Sequence, residues 1–200
     1  TLIIVISIFQ GQMTSLGDSV RAACFQTVSM MTTTGFSSAN FDLWPPIACF
    51  ILVILMLIGG CAGSTSGAIK VQRVAISFKA VIRQIRLFLQ PQAVIQVKMD
   101  REVLDSEEVS GILAFVVTYL FVFVLASILM IPLMPDLRSA VSAVAASLGD
   151  VGPGLGAAGP YCNYSAVPAA GKLLLTFCML IGRLELFTVF VLFLPNYWKK

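Results

Sequence analysis

Residues 110–131 run without a charged side chain, and a stretch of that kind has few ways to fold. As an α-helix it would be ~33 Å long, which matches a hydrocarbon core of ~30 Å. Ahead of it, Asp105 and Glu108 stand at capping-box spacing, and Glu107 adds negative charge to the first turn. A second apolar stretch, residues 169–194, reads as another full span. It is stopped by Pro195 and followed by Tyr197, Trp198, Lys199 and Lys200, the aromatic-then-basic order of a cytoplasmic membrane interface. Of the 200 residues, 58% are hydrophobic and 12% are charged, whereas a soluble domain is roughly a quarter charged. The chain therefore reads as an all-α integral membrane protein.

Charge orients it. Lys70, Arg73, Lys79, Arg83, Arg86, Lys98 and Arg101 crowd the segment between the two halves, and Lys199 and Lys200 add to that side. Arg21, Arg138 and Lys172 fall on the other side. The positive-inside rule puts the first group in the cytoplasm. Within that linker, Val94-Ile95-Gln96-Val97 and Glu102-Val103-Leu104 flank a polar turn and predict a hairpin. Residues 2–9 are apolar but too short to span. They read as the end of a longer transmembrane helix, so the chain reads as a piece of a longer one.

Three further segments are too short to cross a bilayer. Residues 47–58 are apolar and run into Gly59-Gly60-Cys61-Ala62-Gly63-Ser64-Thr65-Ser66-Gly67. A helix that stops halfway in glycines and small hydroxyls predicts a broken transmembrane segment, tolerated only where protein or a water-filled cavity satisfies its backbone. Residues 19–31 and 137–148 each predict a helix of roughly 20 Å. Each leads into a glycine-containing loop: Thr32-Thr33-Thr34-Gly35-Phe36 in one case, Gly149-Asp150-Val151-Gly152-Pro153-Gly154 in the other. The two are related by a shift of 117 residues, which lays Arg21 on Arg138, Ala23 on Ala140 and Gly35 on Gly152. Met56-Leu57-Ile58-Gly59 likewise matches Met179-Leu180-Ile181-Gly182. The chain thus repeats one order twice: span, re-entrant half-helix, glycine loop, span. Parallel repeats of this sort are a transport architecture.

That unit suits a cation. A half-helix ending within the membrane aims its C-terminal carbonyls, and about half a negative charge, at whatever lies beyond. An extended loop can then turn successive carbonyls inward to replace an ion's hydration shell. Such a loop needs residues able to take positive φ, which Gly35, Gly152 and Gly154 supply. Thr32, Thr33 and Thr34 add hydroxyl oxygens. The plainer reading of either loop by itself is a re-entrant turn in a buried region.

Together the triple-threonine loop, the segment of residues 59–67, Val151-Gly152-Pro153-Gly154-Leu155-Gly156 and Gly182-Arg183 resemble the Trk/Ktr/HKT superfamily of potassium transporters, and within it the bacterial TrkH/KtrB membrane subunits. The resemblance covers essentially the whole chain and implies the last two of four pore repeats. Residues 1–89 would be the third, residues 90–105 a cytoplasmic linker, and residues 106–200 the fourth. It implies a filter at Thr33, Thr34, Gly35, Phe36, Asp150, Val151, Gly152 and Pro153, with potassium held at Thr34, Gly35, Val151 and Gly152. It implies a gate in the intramembrane loop, at Gly59, Gly60, Gly63, Ser64, Thr65, Ser66 and Gly67, contacted by Arg183. It further implies a homodimer of the full-length subunit in the bacterial inner membrane, surrounded by lipid. A cytoplasmic ring of nucleotide-binding regulatory subunits would meet it, with potassium as substrate and no cofactor. Two positions depart from the pattern: Asp150 stands where an uncharged polar residue is expected, and Ala68 where glycine is usual.

Other classes fit less well. There is no histidine, and no nucleophile–base pair is visible, so an enzyme is disfavoured. The net charge of +3 does not point to nucleic acid. Gly154-Leu155-Gly156-Ala157-Ala158-Gly159 has dinucleotide-loop spacing but lacks the strand and helix that such a loop joins, and Pro160 follows at once. The cysteines form no CxxC pair and sit mostly in apolar runs. A different transport reading is an alternating-access cation symporter, moving potassium with protons or sodium, whose broken helices hold substrate at the midplane.

Overall fold

The computed structural model describes residues 1–11, 15–92, 95–99 and 102–198. The elements run α1 (Leu2–Gly11), α2 (Leu16–Met31), α3 (Pro46–Ile58), α4 (Val71–Leu89), a short hairpin of β1 (Lys98–Met99) and β2 (Glu102–Val103), α5 (Ser106–Met130), α6 (Leu137–Leu148), α7 (Ala169–Leu184), α8 (Leu186–Leu192) and α9 (Pro195–Trp198). The hairpin is antiparallel, pairing Lys98 with Val103 and Met99 with Glu102, and Leu104 N–H donates to the Val97 carbonyl. The predicted hairpin is present, but its first strand is Lys98–Met99 and follows the expected arm of residues 94–97; Val94 and residues 100–101 lie outside the described residues.

Residues Ser106–Leu133, α5 with the 3-10 turn that follows, are long and apolar enough to cross a membrane. Val117, Phe121, Val124 and Ile128 line one exposed stripe of it at helical spacing. Asp105 takes the N-cap position as expected, but its side chain makes no capping bond, so the predicted capping box is not formed. The predicted second span is also corrected. Residues 169–194 do not make one helix: α7 stops at Leu184, Glu185 adopts φ 61°, and α8 leaves at 109° to α7. The Glu185 carboxylate is drawn to Lys70 Nζ at 3.2 Å and Arg73 Nη2 at 3.1 Å. Ion pairs to a different helix offset the left-handed backbone that interrupts α7.

The half-helix α6 sits at the centre. Ser139, Ala140 and every residue from 142 to 148 are buried, packed among α3, α5 and α7. Its alanines and serines let neighbouring backbones approach closely, the packing solution of membrane helices. A Cβ on Gly182 of α7 would overlap the Leu148 carbonyl oxygen, and one on Gly149 would overlap that of Met56 in α3. The matching half-helix α2 is buried on one face, through Ser19, Ala22, Ala23, Gln26, Ser29 and Met30. Val20, Phe25 and Val28 stay exposed on its other face.

Candidate functional site

The loops that follow α2 and α6 share a backbone conformation, residue for residue, at the shift seen in the sequence. Thr33 (φ 55°) and Gly35 (φ 77°) correspond to Asp150 (φ 56°) and Gly152 (φ 103°). Thr33 N–H donates to Met30 O, and Asp150 N–H to Ser147 O, each at 3.2 Å. Thr34 N–H and Val151 N–H reach back to Ser29 O and Ala146 O at 2.9 and 2.8 Å; Gly35 N–H and Gly152 N–H share those same acceptors. The loop N–H groups thus fold back to cap the half-helix, and the loop carbonyls are left pointing elsewhere.

Two of those carbonyls are engaged. Ser29 Oγ donates to Phe36 O at 2.7 Å, and Tyr164 OH donates to Gly152 O at 2.8 Å. The carbonyls of Thr33, Thr34, Gly35, Asp150 and Val151 accept no hydrogen bond among the described residues. The loops are neighbours: a Cβ on Gly35 would overlap Val151 O and approach Pro153 Cδ at 3.1 Å. Val151 is buried, whereas Phe36 is 72% exposed. Thr34 Oγ1 pairs with Thr32 Oγ1 at 2.8 Å, and Thr32 Oγ1 donates to the Val28 carbonyl at 2.8 Å, which commits two of the three threonine hydroxyls. Asp150 Oδ2 is buried with no hydrogen-bond partner.

On the side of Asp150 lies the glycine-rich segment. Helix α3 ends at Ile58, and Gly59 turns away with φ 72°. The carbonyls stranded by that break are recovered farther on: Ile69, Lys70 and Val71 N–H donate to Leu57, Ile58 and Gly60 O at 3.1, 2.8 and 2.9 Å. Intervening residues are therefore a loop excluded from an otherwise continuous α3–α4 path. Residues 61–65 are exposed. Inside the loop, Ser64 Oγ donates to Cys61 O at 2.7 Å and pairs with Ser66 Oγ at 2.6 Å, and Gly60 N–H donates to Ser66 Oγ at 3.2 Å. A Cβ on Gly63 (φ 80°) would meet nothing within 4 Å, while one on Gly67 would stand 2.8 Å from Asp150 Oδ2. Arg183 Nη1 donates to the Thr65 carbonyl at 2.5 Å, the loop contact expected of it. Ser64, Thr65, Ser66, Tyr119, Arg183 and Glu185 share a cavity of about 190 Å³ beneath the loop.

Sequence reasoning missed three supports of this arrangement. Glu185 carries no sequence motif, yet it binds Lys70 and Arg73, with the Arg73 guanidinium 4.0 Å from the Phe115 ring centroid. Tyr164 carries no filter motif, yet its hydroxyl holds the Gly152 carbonyl. Asp42 carried no motif, yet its Oδ1 takes Arg138 Nη2 at 2.9 Å and Gly156 N–H at 2.8 Å, joining the two halves. No local pattern marks these residues, because their partners lie far away in sequence.

The TrkH sequence family, described as cation transport proteins, matches residues 7–200. The chain belongs to that family. Among TrkH relatives, the Trk system potassium uptake protein TrkH of Halomonas elongata is 38% identical over 90% of this chain. The Escherichia coli K12 protein of the same name is 36% identical over 91%. The chain spans 37% of the length of either relative. The crystal structure of the potassium transporter TrkH from Vibrio parahaemolyticus superposes with a TM-score of 0.89 at 36% identity, covering 98% of this chain and 42% of that one. The TrkH resemblance stated from motifs thus stands on the whole chain.

Proposed function

We propose that this chain supplies two of the pore-lining segments of a potassium pathway, as the third and fourth repeats of a longer membrane subunit. The observation that carries the reading is the duplicated loop. Two half-helices, related by one shift, end in adjacent loops with matching positive-φ positions, and the carbonyls of Thr33, Thr34, Gly35, Asp150 and Val151 accept no protein donor among the described residues. Backbone carbonyls at membrane depth need a partner, and a cation stripped of water supplies one. The relatives' potassium-uptake names support potassium as that cation, passing the open carbonyls of Thr34, Gly35 and Val151 and the Gly152 carbonyl that Tyr164 OH also engages. Residues 59–67 form the gate below, tethered by Arg183. The full subunit works as a homodimer in the bacterial inner membrane, met on its cytoplasmic face by a nucleotide-binding regulatory ring.

The test is rubidium uptake by the full-length transporter in liposomes, with and without competing sodium. Gly35→Ser is expected to weaken discrimination against sodium, because a side chain there displaces the Val151 carbonyl. Unchanged discrimination would reject the filter assignment. Single-channel currents above carrier turnover, recorded on the same preparation, separate a pore from a symporter.

A further inference from the structure

Between α4 and the hairpin a cavity of about 230 Å³ opens on the side that the charge distribution assigns to the cytoplasm. Lys79, Arg83, Arg86 and Lys98 line it, with Ile82 and Gln96 between them, and among the described residues no carboxylate lines it. Among the described residues none of the four cations forms an ion pair. Lys79 Nζ donates to the Lys98 carbonyl at 2.8 Å, which ties the hairpin to the helix. Arg83 Nε is buried and has no hydrogen-bond partner among the described residues. Like charges gathered around one cavity repel, and a buried N–H left unmatched is destabilising. An anion corrects both.

The faces of α4 say what kind. Its 3.6-residue period places Ile76 and Ala80 on a buried face, clustered with Val97 of the hairpin arm and Val109 of α5. Lys79, Arg83 and Arg86 follow on the adjoining face. Phe78, Ile82, Ile85 and Leu89 form the next, and all four are exposed. Val109 lies at the end of α5 where that span begins, so the cations stand near the polar boundary of the membrane, the depth of headgroup phosphates. A basic stripe beside an exposed apolar stripe is the pattern of a helix that meets lipid.

We infer that this cavity binds the phosphate of an anionic phospholipid of the cytoplasmic leaflet, with the acyl chains along Phe78, Ile82, Ile85 and Leu89. The inference rests on the membrane orientation proposed above and not on the filter. Purified full-length transporter in a neutral detergent, titrated with short-chain phosphatidylglycerol and read by native mass spectrometry, tests it without any ion flux. Short-chain phosphatidylcholine and glycerol phosphate are the comparison probes. Phosphatidylglycerol is expected to bind most tightly. Arg83→Gln and Lys98→Gln are each expected to weaken it roughly five-fold, from about 1 kcal/mol per basic residue at a membrane surface. Arg83→Lys should recover most of that loss. Lys98 is exposed on the hairpin, so its variant reports even where Arg83→Gln misfolds. Equal phosphatidylglycerol binding by wild type and the Lys98→Gln variant overturns the site. Glycerol phosphate binding as tightly as the lipid overturns the lipid assignment in favour of a soluble phosphate. A wild type that shows no preference for phosphatidylglycerol while its rubidium uptake is intact rejects this site alone and leaves the pathway reading standing.

Discussion

Gly35 and Val151 meet through their backbones: the Cα of Gly35 lies so close to the Val151 carbonyl oxygen that no Cβ fits between them. The two loops therefore touch where the first of them requires glycine. Gly152, the counterpart of Gly35, differs in its surroundings, with nothing within 4 Å of where its Cβ would be.

The repeats should thus respond unequally to one substitution. Gly152→Ala meets only the left-handed backbone penalty, about 1–2 kcal/mol. Gly35→Ala meets that penalty and a clash with backbone atoms that cannot rotate away. In full-length protein, thermal unfolding is expected to show the larger loss for Gly35→Ala, and rubidium uptake against sodium the larger loss of discrimination. Equal effects would mean that the loops are not in contact.

Ala68 closes the glycine-rich loop at φ 64° while buried. The family resemblance implies glycine there, and the backbone shows why: alanine is held in a region that its Cβ disfavours. Ala68→Gly is expected to stabilise the protein by about 1 kcal/mol, the strain relieved slightly exceeding the extra entropy of the unfolded chain. A measured loss of stability would show that the Ala68 methyl, which faces Gly59, contributes more by packing than its backbone costs.

How far these features could be read from sequence depends on their range. Helix α6 was legible over its full length, since small residues ending in Gly149 mark both its burial and its stop. The loop repeat was legible because it rests on positions inside each loop. The break at Glu185 was not: residues 169–194 are apolar by pattern, with charges only at Lys172, Arg183 and Glu185, and what stops α7 is a carboxylate reaching Lys70 and Arg73 at the start of another helix. Likewise Ser29 and Tyr164 look ordinary in sequence, and only the fold brings their hydroxyls to Phe36 and Gly152.

Asp42 makes the polar joint between the halves. Asp42→Ala would leave the Gly156 N–H and Arg138 without their carboxylate, for a loss of about 1–2 kcal/mol, moderated because Arg138 is half exposed. Asp42→Asn keeps an oxygen for Gly156 N–H and is expected to lose roughly half as much. A double-mutant cycle with Arg138→Met in thermal unfolding should return a favourable coupling between the two residues. Additive effects would show that Asp42 acts through Gly156 alone.

Arg183 offers the sharpest test of gating. Its guanidinium reaches the Thr65 carbonyl from α7, while the loop's other side-chain bonds, through Ser64 and Ser66, stay within the loop. Gly63 and its neighbours pack against little, so the loop's position depends on few contacts. A guanidinium carries five donors and prefers carbonyl acceptors that an unwound segment leaves open. Arg183→Ala removes this tether and should populate displaced loop positions. A charged hydrogen bond contributes ~1.5–3 kcal/mol, so a closed state stabilised by it would lose roughly ten-fold or more in population relative to open ones. Rubidium uptake by full-length protein at matched density should therefore rise in Arg183→Ala, and rise further when residues 61–66 are deleted. Arg183→Lys keeps the charge but not the fork of donors and should fall between wild type and alanine. Uptake at or below wild type in folded variants would make the loop a structural element rather than a gate.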